Sequence, residues 1–155
     1  MKKIIHPVAG SIAILTIATF WLSTLLSELF ASGTFVAAVK ATIPWGFLIL
    51  VPALAATGGT GFLLAKGRKG SLILDKSRRM PLIAANGILV LIPSAFFLAY
   101  KARAGEFDSL FYAVQALELL GGATNLFLLG WNMRDGLRLK GRLGPAPSTS
   151  TAPGQ

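Results

Sequence analysis

The chain has no cysteine, one histidine and only six acidic residues in 155 positions. Without thiols there can be no disulfides, thiol nucleophiles, Fe–S ligation, cysteine-based zinc sites or quinone–dithiol chemistry. Charge of either sign is scarce: 14% of residues are charged, against about 25% in an ordinary soluble domain. The patterns HExxH, GxSxG and CxxC are absent, and no two carboxylates are spaced for acid–base work. The chain therefore reads as a protein that is not an enzyme, and its length suits one domain.

What is present is hydrophobic: 54% of the residues. They gather in four stretches almost free of charge, at about 8–30, 43–65 (extendable back to Phe35), 81–100 and 109–132. Each approaches the ~20 residues that cross a hydrocarbon core as a helix. None shows the polar face of a soluble helix or the ~10-residue alternation of a membrane barrel. The expected fold is an all-α integral membrane four-helix bundle of two antiparallel transmembrane hairpins, spanning residues 1–142. The remainder, 143–155, is Pro, Ser, Thr, Ala and Gly with Leu143 and Gln155, and should be disordered.

The net charge of +9 would suit nucleic acid if it formed a basic face. Instead it lies beside the apolar spans, so no nucleic-acid partner is expected. Lys2 and Lys3 precede the first span. Lys66, Arg68, Lys69, Lys76, Arg78 and Arg79 lie between the second and third. Arg134, Arg138, Lys140 and Arg142 follow the fourth. Twelve of the fifteen basic residues thus fall on one side, with Lys40, Lys101 and Arg103 on the other beside Glu28, Glu106 and Asp108. Positive residues stay inside, which predicts cytoplasmic N and C termini and a cytoplasmic middle loop. Arg68, Lys69, Arg78, Arg79, Arg134 and Arg138 are then expected at acidic lipid headgroups. Trp45, Tyr100 and Tyr112 should lie at the outer interface and Trp131 at the inner one. Ala31-Ser32-Gly33 is a poor cleavage context, so the first span is expected to stay as an anchor.

Counting ~1.5 Å per residue from the basic end sorts the polar side chains by depth. Thr16, Thr57, Asn86 and Asn125 form one layer. Ser23, Ser94 and Glu118 form a second, beside Pro52 and Pro93, which free backbone carbonyls near Leu48 and Leu89. On the fourth span Gln115, Glu118, Gly122 and Asn125 share one face, which should point inward. No basic residue is expected at the depth of Glu118, leaving Ser23, Ser94 or a freed carbonyl as its partner. An ionisable group at this position is a functional hypothesis by default. It is either a proton carrier in a small-molecule or proton pathway, or a structural carboxyl bonded across helices or to a partner subunit. The runs Thr57-Gly58-Gly59-Thr60-Gly61 and Gly121-Gly122-Ala123-Thr124 lack the strand–loop–helix setting of a phosphate cradle and read as close helix contacts.

His6, Met80 and Met133 are expected at one membrane face, next to Arg79 and Arg134. Histidine and methionine ligate haem, and methionine thioether selects Cu(I). One histidine supplies one strong axial ligand for haem b, so a dimer would have to supply the second. The alternative is an interfacial histidine with two gap-filling methionines, and the leading expectation is no cofactor. Asn132-Met133-Arg134-Asp135-Gly136 reads as the end of the last helix, with Gly136 as its cap.

The segments HPVAGSIAILTIATFWLSTLLSELF and ELLGGATNLFLLGWNMRDGLRL resemble uncharacterised small bacterial inner-membrane proteins with four transmembrane helices. The resemblance covers about a third of the chain. It implies a bacterial inner (cytoplasmic) membrane and supplies no activity, substrate or site. Small multidrug exporters carry their membrane glutamate on the first span, and quinone-linked thiol oxidases need cysteines, so neither type fits. The expected function is a non-enzymatic accessory or anchor subunit of a membrane complex, whose partners are the lipid bilayer and a membrane protein or a second copy. The alternatives are a small proton-coupled transporter using Glu118 and a haem-binding redox protein using His6.

Overall fold

In the computed structural model the backbone is described for residues 2–65 and 71–139, and the side chains for 4–64 and 78–138. The expected disorder of 143–155, and the headgroup contacts of Arg68 and Lys69, lie outside the described residues. Every element described is helical: α1 (Lys2–Phe30), α2 (Gly33–Ala65), α3 (Ser71–Asn86), a π-helical segment (Gly87–Leu91), α4 (Ile92–Arg103) and α5 (Ser109–Leu139). Four stretches are long and apolar enough to cross a membrane: Ile4–Phe30, Gly33–Leu64, Arg78–Arg103 and Ser109–Arg138. By length and composition this is a multi-pass membrane protein.

Three boundaries differ from the sequence expectation. Helix α2 starts at Gly33, ten residues before the expected 43. The amides of Phe35 and Val36 bond the Ser32 carbonyl, so the chain re-enters a helix at once. Nothing in Thr34-Phe35-Val36-Ala37-Ala38-Val39 opposes helix; only the charge of Lys40 suggested a loop. Helix α3 likewise begins earlier, at Ser71, although the apolar stretch that includes its end starts at Arg78, close to the expected 81. At the far end α5 runs through Gly136 to Leu139, so Gly136 is no cap. Its φ is not positive, because Gly105 is the one described residue with positive φ.

The third span is one chain path with a fault in it. Pro93 has no N–H to give the Leu89 carbonyl, and its ring crowds that turn. The helix answers with a π turn over Gly87–Leu91, in which the Ile92 amide bonds the Gly87 carbonyl. Such bulges absorb an extra residue and re-aim the side chains on either side. Pro44 and Pro52 lie inside α2 without one.

Helix α1 packs on α2 and α5, α2 also on α3 and α4, and α5 also on α3, α4 and the π-helical segment. Contacts between α1 and α2 pair low numbers with high ones: Gly10 meets Thr57, Phe20 meets Gly46, and Thr24 meets Lys40. Two apolar clusters fill the bundle. One, near the termini, contains Ala13, Ile17, Leu50, Ala53, Ile83 and Leu129. The other, near the α4–α5 connection, contains Val36, Leu98, Ala102 and Phe111. Close approach depends on glycine where the helices cross. A Cβ on Gly121 would lie 2.9 Å from Leu91 Cδ2, and one on Gly122 3.1 Å from Trp21 Cδ1. A Cβ on Gly46 would run into the Phe20 ring. In the other glycine run, Gly61 lies against His6 and Met80 and Thr57 against Gly10, whereas Gly58 and Gly59 meet nothing within 4 Å among the described residues.

The α4–α5 connection is tightly specified. The Glu106 amide bonds the Lys101 carbonyl and the Gly105 amide the Ala102 carbonyl. With Gly105 at φ 71° this is a Schellman closure, and a side chain there would be strained. Asp108 Oδ1 then accepts from the Phe111 amide at 2.9 Å and caps α5. Phe107 folds over Gly33 and stacks edge-on with Phe111, tying the connection to the start of α2.

Candidate functional site

Between the two apolar clusters lies a charged layer. Lys40 Nζ sits 2.5 Å from Glu118 Oε2 and donates to Thr24 Oγ1 at 3.3 Å. The side chains are 1% and 13% exposed. This corrects the expectation that no base lies at the depth of Glu118. Because α2 begins at Gly33, Lys40 is two turns into the helix, and its long stem reaches the carboxylate on α5. Among the described residues no hydrogen bond joins Glu118 to Ser23 or Ser94, although Ser94 is buried. Beside the pair, Trp21 Nε1 donates to the Leu119 carbonyl at 2.9 Å and covers Gly122. A cavity of about 50 Å³ adjoins Glu118, bounded by Phe20, Trp21, Thr24, Phe47 and Leu91. One turn further along, Gln115 is 4% exposed, and its Oε1, like Glu28 Oε1, is buried without a hydrogen-bond partner. The inward face of α5 is thus as expected, with Gln115, Gly122 and Asn125 buried.

The shallower polar layer divides in two. Asn86 Nδ2 donates to Asn125 Oδ1 at 2.9 Å and to the Gly121 carbonyl at 2.8 Å. Asn125 Nδ2 donates to the Ile83 carbonyl at 3.3 Å. These bonds clamp α3 to α5 immediately before the π turn. Thr16 and Thr57 instead bond carbonyls of their own helices, at Ile12 and Ala53.

The third arrangement is at the end of the bundle where α1 begins and α5 ends. A cavity of about 270 Å³ is lined by His6, Met80, Met133, Ser11, Thr57 and Asn132, among others. The structure therefore brings the expected His–Met cluster together. His6 Nδ1 lies 3.0 Å from the Thr57 carbonyl and 3.1 Å from Thr60 Oγ1. The Thr60 hydroxyl donates its own hydrogen to the Ala56 carbonyl. Both partners of Nδ1 are then acceptors, so Nδ1 bears the hydrogen and, in the neutral ring, Nε2 the lone pair. Gly61 makes room: a Cβ there would lie 3.1 Å from His6 Cε1 and 3.4 Å from Met80 Cε. Sites for drug-sized ligands run from ~300 to 1,000 Å³, so this cavity is too small to enclose a haem macrocycle. The one histidine would supply one strong ligand.

Arg79, expected at a lipid headgroup, is engaged inside the protein. Its Nη1 is 2.7 Å from Asp135 Oδ2 and 3.5 Å from Asn132 Oδ1, and the guanidinium lies 5.4 Å from the centre of the Trp131 ring. Asp135 carried no such signal in the sequence; its spacing from Arg79 has meaning only once α3 and α5 are side by side. Arg78 and Arg134 are exposed and Arg138 is half-buried. Trp45, Tyr100, Tyr112 and Trp131 all present much of their rings outward. At the opposite end, Lys101 Nζ lies 2.5 Å from Asp108 Oδ2 and 3.1 Å from Glu106 Oε2. The hydrogen bond from Lys101, and then that from the Phe111 amide, hold the Asp108 carboxyl below the ordinary aspartate range.

These features define the class: an all-helical protein with four apolar helices, its interior crossed by buried polar pairs. No protein-family model, curated protein or solved structure matches the chain.

Proposed function

We propose that the protein is a multi-pass component of the bacterial inner membrane, two antiparallel hairpins with both termini cytoplasmic. In this reading it acts without chemistry of its own, as an accessory or anchoring subunit of a membrane complex. One observation carries it: three polar pairs join neighbouring helices within the bundle, while the outward faces are apolar. Lys40–Glu118, Asn86–Asn125 and Arg79–Asp135 each link two helices. Outside, Leu15, Leu48, Phe62, Leu89 and Leu120 are each more than 60% exposed. A surface of that kind is covered by lipid or by another membrane protein. The charge distribution supports the orientation. Lys101 is matched by Glu106 and Asp108, and Lys40 by Glu118, whereas Arg78, Arg134 and Arg138 gather at the end holding the termini. Purification from native membranes in mild detergent should yield a stoichiometric membrane partner. A lone monomer after gentle cross-linking would refute the subunit reading.

The cavity beside Glu118 supports a second reading, a small proton-coupled transporter. It has room for water next to an ionisable pair, which is what a proton relay requires. Glu118→Gln should then abolish pH-driven flux in liposomes, and since it removes the counter-charge of Lys40, the flux is read on protein whose unfolding midpoint shows that it is folded. Unchanged flux would remove Glu118 from that role.

A further inference from the structure

The sequence holds one histidine and three methionines, one of them the first residue. The histidine and both internal methionines line a single cavity, although they come from three different helices, α1, α3 and α5. We propose that this cavity binds one monovalent copper ion through His6, Met80 and Met133.

The donor set selects the ion. Among the described residues lining the cavity there is neither a carboxylate nor a thiolate, and no group of three described His, Asp or Glu could hold a metal. Hard dications such as Mg²⁺ and Ca²⁺ require oxygen donors, and zinc sites use histidine, thiolate and carboxylate. Two neutral thioethers and an imidazole suit a soft d¹⁰ cation of single charge. No anionic ligand is then needed to balance it at the edge of a low-dielectric bundle.

The geometry supports the same assignment. Thr57 and Thr60 hold His6 by Nδ1, which orients the ring and puts the lone pair on Nε2. Copper would bind at that lone pair. Met80 and His6 converge over Gly61, where the absent side chain leaves space for both. Methionine has three rotatable bonds, so Met80 and Met133 can swing their sulfurs to an ion without moving a helix. The assignment is independent of whether the bundle works alone or in a complex.

The test is anaerobic competition for Cu(I) against bicinchoninate, using the full chain in detergent. The wild type should take up one equivalent. Met80→Leu with Met133→Leu keeps volume and apolarity, so its unfolding midpoint should stay near wild type, while Cu(I) affinity should fall at least about tenfold, the lower end of what outer-shell changes alone cost a metal site. His6→Ala should weaken binding similarly, and copper-edge absorption on the wild type should show sulfur and nitrogen neighbours. No uptake by the wild type would overturn the proposal. So would equal affinity in the double leucine variant, or binding of Zn²⁺ in preference to Cu(I).

Discussion

Lys40 and Glu118 show what one residue can decide in a low-dielectric interior. Two charges taken from water lose several kcal/mol of hydration each, and their mutual attraction repays this only while both are present. Either Lys40→Met or Glu118→Leu alone should therefore lower stability by ~3–5 kcal/mol, and the double change should recover most of it. Detergent-denaturant unfolding of the three variants measures this directly. Additive losses would mean that the two side chains do not depend on each other. The amide pair is a weaker device: membrane hydrogen bonds between helices average about 0.6 kcal/mol. Asn86 and Asn125 therefore set the register of α3 on α5 more than they hold the two together.

At the level of elements, the junctions carry more specificity than the helix interiors. The Gly105 closure, the Asp108 cap and the Lys101 ion pairs lie within eight consecutive residues between α4 and α5. Because the folded protein holds the Asp108 carboxyl below its ordinary range, ionised Asp108 favours folding. That contribution is fully present above the unfolded value of ~3.9 and is lost as pH falls through the lower folded value. The unfolding midpoint should be flat from neutral pH to about 5 and fall below about 4. In Asp108→Asn it should be lower at neutral pH, with a shallower acid limb. An unchanged acid limb would assign that fall to other carboxyls. The π turn is a different kind of junction. It is imposed by Pro93, and it falls where Asn86 and Leu91 must fit against Gly121.

For the whole molecule, the proposed orientation rests on the crowding of Arg78, Arg134 and Arg138 at one end, against Arg103 alone at the other. The absence of native cysteine makes the test direct, since any single cysteine introduced is the only thiol. At Ser32 or Ala104, both exposed, a membrane-impermeant maleimide should label cells whose inner membrane is intact. At Arg134, also exposed, it should label only after that membrane is opened. The opposite pattern would invert the proposed topology. The sequence alone determined the four apolar helices, the crowding of basic residues and the inward face of α5. These rest on local quantities: hydrophobicity, charge counts and the 3.6-residue period. It also pointed to His6, Met80 and Met133 as neighbours, because depth along a helix can be counted. Only the tertiary structure decided that Lys40 belongs with Glu118, Arg79 with Asp135 and Trp21 with the Leu119 carbonyl. A long side chain at a helix end can face solvent, lipid or a neighbour, and the choice depends on which helices stand side by side. Partners separated by 56 to 98 positions leave no local pattern to read.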